Sequence, residues 1–380
     1  MFKRRPVTSA KKDKSGEIRS LTGIRGIAAV YVMLYHGLHH IVPVTSPVFN
    51  LVNHGYISVD LFFMLSGFVL CMVYESNFAQ VNGIVARYSD FIIKRFARIY
   101  PLYFCVTVLA AVLFFIANRK LDAEAWKMLV SNFLLIENWG IARSLAGPTW
   151  SLSVEWGGYF LFPFIALALS KANRAGQLLG VAICVAMVLC AAYFPRQDSQ
   201  YGVSGPLDLI GYNNLFTWLR FAGEFGLGIS AFKIKDLGVV KALTAVPFFD
   251  VLMALAIVVL LNIAASDVFV VFAFFALILS LYMKQASGTA AVLGSAVVFF
   301  LGNVSYSIYL IHPFIIGRAP ALAAKLGGHL GSPAIAMGVS LTLLALLVIG
   351  LAWLSFQFIE VRGRLLISRL ARVGKPHTLN

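Results

Sequence analysis

Ten apolar runs punctuate the chain, at roughly 22–42, 57–75, 100–117, 150–170, 177–195, 214–232, 247–264, 267–283, 297–317 and 334–356. Each approaches the ~20 residues that a helix needs to cross the hydrocarbon core of a bilayer. A backbone in lipid has to satisfy its own hydrogen bonds, so spanning segments are helices or closed barrels. These runs are long and unbroken, unlike the short alternating strands of a barrel. The expected fold is therefore all-α, a polytopic integral membrane protein of about ten transmembrane helices. Composition agrees, because 60% of the 380 residues are hydrophobic and 12% charged, far from the soluble globular norm.

Orientation follows from the basic residues. With the N-terminus inside, most of the 31 Lys and Arg residues fall in cytoplasmic segments, and the positive-inside rule then places both termini in the cytoplasm. The net charge of +15 reflects topology and anionic lipid, with no nucleic-acid partner expected. Residues 1–20 and 361–380 read as basic cytoplasmic tails around a membrane domain over 21–360. The first tail lacks the apolar core and cleavage site of a signal peptide. Cys71, Cys105, Cys184 and Cys190 lie in or beside spans and form neither a disulfide framework nor a metal-spaced cluster. No metal and no permanently bound cofactor are expected.

Ionisable residues inside the apolar runs carry the functional information, since lipid does not solvate them. Arg25 and His36 stand on one face of the first span, about 16 Å apart along the helix. Asp60 opens the second span, as a buried acid or as a first-turn cap. Arg95 and Arg98, three apart before the third span, form a two-pronged cationic surface that suits phosphate oxygens or lipid headgroups. Ser151 and Glu155 share a face at the entrance of the fourth span, flanked by Trp150 and Trp156. Arg220 and Glu224, four apart, read as neutralising each other. His312 precedes Pro313 and either ends its helix through a hydrogen bond or faces a substrate.

The topology puts Arg25, Arg95 and Arg98 towards the cytoplasm and His36, Asp60, Glu155 and His312 in the outer half. That polarity suits a phosphorylated donor below and an acceptor above. A proton-coupled transporter or flippase of a polar solute or lipid-linked sugar has the same requirements, and the residues alone leave the two open.

Five blocks together resemble the membrane acyltransferase-3 family in its stand-alone form: Arg25 with His36, Val59-Asp-Leu-Phe-Phe-Met-Leu-Ser-Gly67, Arg95-x-x-Arg98-Ile-x-Pro101, Trp150-Ser-Leu-Ser-Val-Glu155 and Leu301-Gly-x-x-Ser-Tyr-Ser-Ile-Tyr-Leu-x-His312. The resemblance implies transfer of an acyl group, most often acetyl from acetyl-CoA, to a carbohydrate hydroxyl, commonly of an envelope or secreted polysaccharide, at the inner (plasma) membrane. With the resemblance in hand, His36 is expected as general base, with Glu155 or Asp60 orienting it. Arg25, Arg95 and Arg98 are expected on acyl-CoA, and Ser151, Trp150 and His312 on the acceptor side. One departure stands near the C-terminus, where Glu360-Val-Arg-Gly-Arg364 lacks the proline of a Glu-x-Pro-x-Arg pattern.

Overall fold

A computed structural model of the chain describes residues 17–39, 41–42, 45–46, 48–78, 83–118, 122–194, 205–209, 215–264 and 266–373. Most of the expected N-terminal tail, and the end of the C-terminal one, lie outside the described residues. Every regular element among the described residues is helical, and each of the ten apolar runs carries a helix. The first seven elements that matter here are α1 (Arg19–Leu38), α2 (Ser58–Phe78), α3 (Ile84–Asn118), α4 (Ala123–Phe133), α5 (Trp150–Lys171), α6 (Arg174–Tyr193) and α7 (Leu215–Ile234). They are followed by α8 (Gly238–Ala245), α9 (Phe249–Leu260), α10 (Asp267–Met283), α11 (Ala296–Asn303), α12 (Ser305–Ile311), α13 (Ala319–Leu330), α14 (Pro333–Ser355) and α15 (Val361–Val373).

Among the described residues, six helices are long and apolar enough to cross a membrane, or up to eight segments if each of two bent pairs counts as one. The bent pairs are α8 with α9, at 81°, and α11 with the helical segment reaching Phe314, at 55°. The two remaining runs fall short for physical reasons. Helix α7 carries Arg220, Glu224 and Lys233 within its 20 residues, and α10 is only 17 residues long.

The helical turn expected for Arg95 and Arg98 is part of a longer helix, because α3 runs unbroken from Ile84 with Pro101 inside it. Arg95 and Arg98 therefore stand on a rigid helix. Residues 361–373 of the expected basic C-terminal tail are helical, joined to α14 by a π-helical turn over Phe356–Glu360. Next to the position of the missing proline, which Arg362 occupies, Gly363 packs on Pro101: a Cβ on Gly363 would lie 2.5 Å from Pro101 Cβ.

Small residues let the central helices touch through their backbones. A Cβ on Gly67 of α2 would lie 2.0 Å from Phe225 O of α7, and one on Gly228 of α7 would lie 2.0 Å from Met64 O of α2. Gly26 of α1 meets Gly302 of α11 in the same way, at 2.5 Å from Gly302 N. Without a hydrophobic drive between helices in lipid, such close approach is what holds a bundle together. It brings α1, α2, α3, α5 and α12 around a common space.

Candidate functional site

Those five helices line a cavity of about 170 Å³. Arg25 reaches it from α1, Ser66 from α2, Arg95 and Arg98 from α3, Ser151, Glu155 and Tyr159 from α5, and Ser305, Tyr306 and Tyr309 from α12. The α5 face follows from helical spacing, since residues 151, 155 and 159 lie four apart and stack on one side.

The cavity's charges are partly countered within it. Tyr159 donates its hydroxyl to Glu155 Oε1 at 2.8 Å, and Glu155 lies within electrostatic reach of Arg25, as does Arg98. Arg95 Nη2 donates to the Tyr74 hydroxyl at 2.8 Å. Arg98 Nη1 donates to Glu360 Oε2 at 3.1 Å, and Ser307 Oγ donates to the other oxygen of the same carboxylate. The π-helical turn thus delivers Glu360, buried, to the floor of the arginine cluster. Three guanidinium groups around one small cavity have the chemistry to hold an anion.

At the other end Ser151 Oγ and Tyr309 OH lie 2.9 Å apart, and both approach the Pro148 carbonyl, at 3.1 and 3.0 Å. Beyond Tyr309 stands a histidine pair. The His312 ring centroid lies 6.0 Å from that of Tyr309, and His36 stacks on His312 at 5.2 Å with 27° between the planes. His312 Nδ1 is bound to Ile308 O at 3.1 Å, so that nitrogen carries the proton and Nε2 of the neutral ring is the acceptor. Nε2 has no hydrogen-bond partner among the described residues. The helix-ending bond expected for His312 is therefore present, and the ring also faces His36.

The expected residues thus divide. Arg25, Arg95, Arg98, Ser151 and Glu155 share the cavity, while His36 and His312 lie together one aromatic ring away from it. Asp60 was expected to orient His36, and the structure places it elsewhere. It is fully buried and accepts from Arg220 Nε at 3.1 Å and from Arg220 Nη2. Glu224, the partner expected for Arg220, is the more distant acid at 3.7 Å. Trp150 packs on Phe63 and lies 5.6 Å under the Arg220 guanidinium, outside the cavity lining. Tyr159, Tyr306 and Tyr309 were not singled out, and Glu360 was noted only for the proline absent after it. The signal for Tyr306 and Tyr309 was the hydroxyl-rich run Ser305-Tyr-Ser-Ile-Tyr309 inside an apolar segment. No group of three or more His, Cys, Asp or Glu among the described residues is placed to hold a metal.

Comparison with known proteins identifies the family of the chain. The family model for an acyltransferase domain matches residues 18–359. The chain is similar to the acyltransferase MdmB of Streptomyces mycarofaciens, 28% identical over 87% of either chain. It is also similar to the peptidoglycan O-acetyltransferase OatA of Listeria monocytogenes, 26% identical over 48% of this chain and 30% of that one. The O-acetyltransferase OatA of Staphylococcus aureus is 25% identical over 78% of this chain and 50% of its own length. The chain thus spans half or less of either OatA. No solved structure matches. Because the family match runs through every helix that lines the cavity, the chain belongs to the acyltransferase-3 family and is an acyltransferase.

Proposed function

We propose that the protein is a multi-pass membrane O-acyltransferase of the inner (plasma) membrane. It moves an acyl group, acetyl by default, from cytoplasmic acyl-CoA to a hydroxyl of a carbohydrate such as an envelope or secreted polysaccharide. The topology that goes with it has ten spans and both termini in the cytoplasm, with α7 and α10 completing the count. The observation that carries the reading is the gathering of Arg25, Arg95 and Arg98 on one cavity with Glu155 and several hydroxyls. Coenzyme A brings phosphates that match a guanidinium cluster, and the relatives named for O-acetyl transfer share this family.

In this reading Arg95 and Arg98 take the phosphates of the donor, and Arg25 stabilises the negative charge that develops on the thioester oxygen. His36 is the general base. It accepts the proton of the acceptor hydroxyl as the new C–O bond forms, and the C–S bond then breaks to release CoA thiolate, which takes up a proton. Glu155, held by Tyr159, balances Arg25 and the cation that forms on the histidine pair. Ser151 and His312 stand on the acceptor side. Trp150 and Asp60 act through Arg220 to hold that side in place.

The test is CoA thiol release by purified protein in detergent, given acetyl-CoA and an envelope glycan extract. Release that requires the extract, with acetyl recovered as an alkali-labile ester on glycan, is the expected result. Folded protein that releases no thiol from any acyl-CoA would overturn the reading and favour solute movement.

A further inference from the structure

Beside the arginine cavity lies a second one, of about 220 Å³, lined by Phe96, Ile99, Tyr100, Phe133 to Leu135 and Trp156. Its chemistry is opposite. Phe96 and Tyr100 stack at 4.3 Å, Phe96 approaches Trp156 at 6.1 Å, and the Tyr100 hydroxyl is taken up by Phe133 O at 2.9 Å. A carbohydrate placed here would find few partners for its hydroxyls, which is costly away from water.

The two cavities are joined by sequence and by wall. Ile99 lines both, and Trp156 follows Glu155 directly. At about 100° per residue along α3, the row Arg95, Arg98 and the row Phe96, Tyr100 are centred about 150° apart, with Ile99 between them at the border. One helix thus presents guanidinium groups to one chamber and aromatic rings to the next. A ligand that satisfies both is an amphiphile with an anionic head and an apolar chain.

We propose that this second cavity receives the acyl chain of the donor thioester, so that the enzyme prefers acyl groups longer than acetyl. The inference rests on the proposed acyl-CoA reading and specifies its donor. With the phosphates held at Arg95 and Arg98, the pantetheine arm folds through the arginine cavity to bring the thioester to Arg25, and the acyl chain turns past Ile99 to lie among Phe96, Tyr100, Leu135 and Trp156. The bond changes are those of acetyl transfer, and only the length of the transferred group differs.

The experiment compares acetyl-, butyryl- and hexanoyl-CoA on the full-length protein in detergent, following thiol release and ester formation. A hexanoyl-CoA carrying a terminal diazirine is photolysed on the protein in parallel. Burial of a methylene is worth roughly a fourfold gain, so butyryl-CoA is expected to exceed acetyl-CoA in kcat/KM by on the order of tenfold. The photolabel is expected on residues 96–100 and 133–135. Leu134 is 57% exposed, so Leu134→Trp fills the mouth without entering the core, and the butyryl-to-acetyl ratio should fall roughly fivefold. Acetyl turnover with no gain from longer chains overturns the inference and leaves the acyl-CoA reading standing. Thiol release from none of the donors overturns both. A cavity that retains bilayer lipid, with the ratio unaltered in Leu134→Trp, also overturns the inference.

Discussion

Asp60→Ala should destabilise the protein far more than it alters the chemistry. Arg220 is 1% exposed and Asp60 fully buried, and two hydrogen bonds join them, from Nε to Oδ1 and from Nη2 to Oδ2. Removing one member of a buried pair costs about 3–5 kcal/mol, because the other charge is stranded. Glu224, 3.7 Å from Arg220 Nε, remains to share the guanidinium charge, so Asp60→Ala belongs near 3 kcal/mol. Arg220→Met strands two carboxylates on one another and should cost more. The double variant Asp60→Ala with Arg220→Met leaves only Glu224 unpaired and should lose less than the sum of the two single losses. Thermal unfolding of the purified protein in detergent, run as a double-mutant cycle, reads this directly. Losses that simply add, or an Asp60→Ala protein of full stability and no turnover, would refute the structural role and return Asp60 to the chemistry.

Three further outcomes follow from the geometry. Arg98→Gln strands Glu360, whose side chain is 2% exposed, so it should lower stability as well as raise KM for acyl-CoA by on the order of tenfold. Adding Glu360→Gln should restore the stability and leave KM high, which separates the two effects in one comparison of melting and kinetics. Burial pushes the Glu137 carboxyl, outside the spans, up to about 8. The folded state therefore holds a proton that the unfolded state has lost, and this contribution is complete at low pH and disappears as pH rises to about 8. The apparent melting temperature should decline between about pH 5 and about pH 8, and Glu137→Gln should flatten that slope. Gly67→Ala should force α2 and α7 apart, because its Cβ would sit 2.0 Å from Phe225 O. Overpacking of this kind costs about 1–3 kcal/mol, and a Gly67→Ala protein that melts like the parent would show that the two backbones are not in contact.

Much of this architecture was legible because lipid is a demanding solvent. Apolar runs announced the helices, and the charges in and beside them pointed to the cavity: Arg25 and Glu155, picked for their cost inside spans, and Arg95 and Arg98, picked for their spacing before one, line it together. What sequence does not carry is which helix lies beside which. Arg220 has an acid four residues away, yet its closest partner comes from position 60 on another helix. Arg98 pairs with an acid 262 positions further on, delivered by a π-helical turn that no periodicity announces. Tyr309 and Tyr306 were overlooked because tyrosine in a span reads as an interfacial anchor. Pro101 sits inside α3, where Gly363, having no side chain, leaves room for its ring.

The central claim is that His36 removes the proton of the acceptor hydroxyl, although the structure sets it one ring beyond the cavity wall. The direct measurement is single-turnover acyl transfer by the purified protein and its His36→Ala variant, with donor binding measured separately on each. The account predicts intact acyl-CoA binding in His36→Ala together with a transfer rate reduced by about two to four orders of magnitude. Transfer at near the parent rate in a variant that binds donor normally would contradict it and move the base to another group on the cavity.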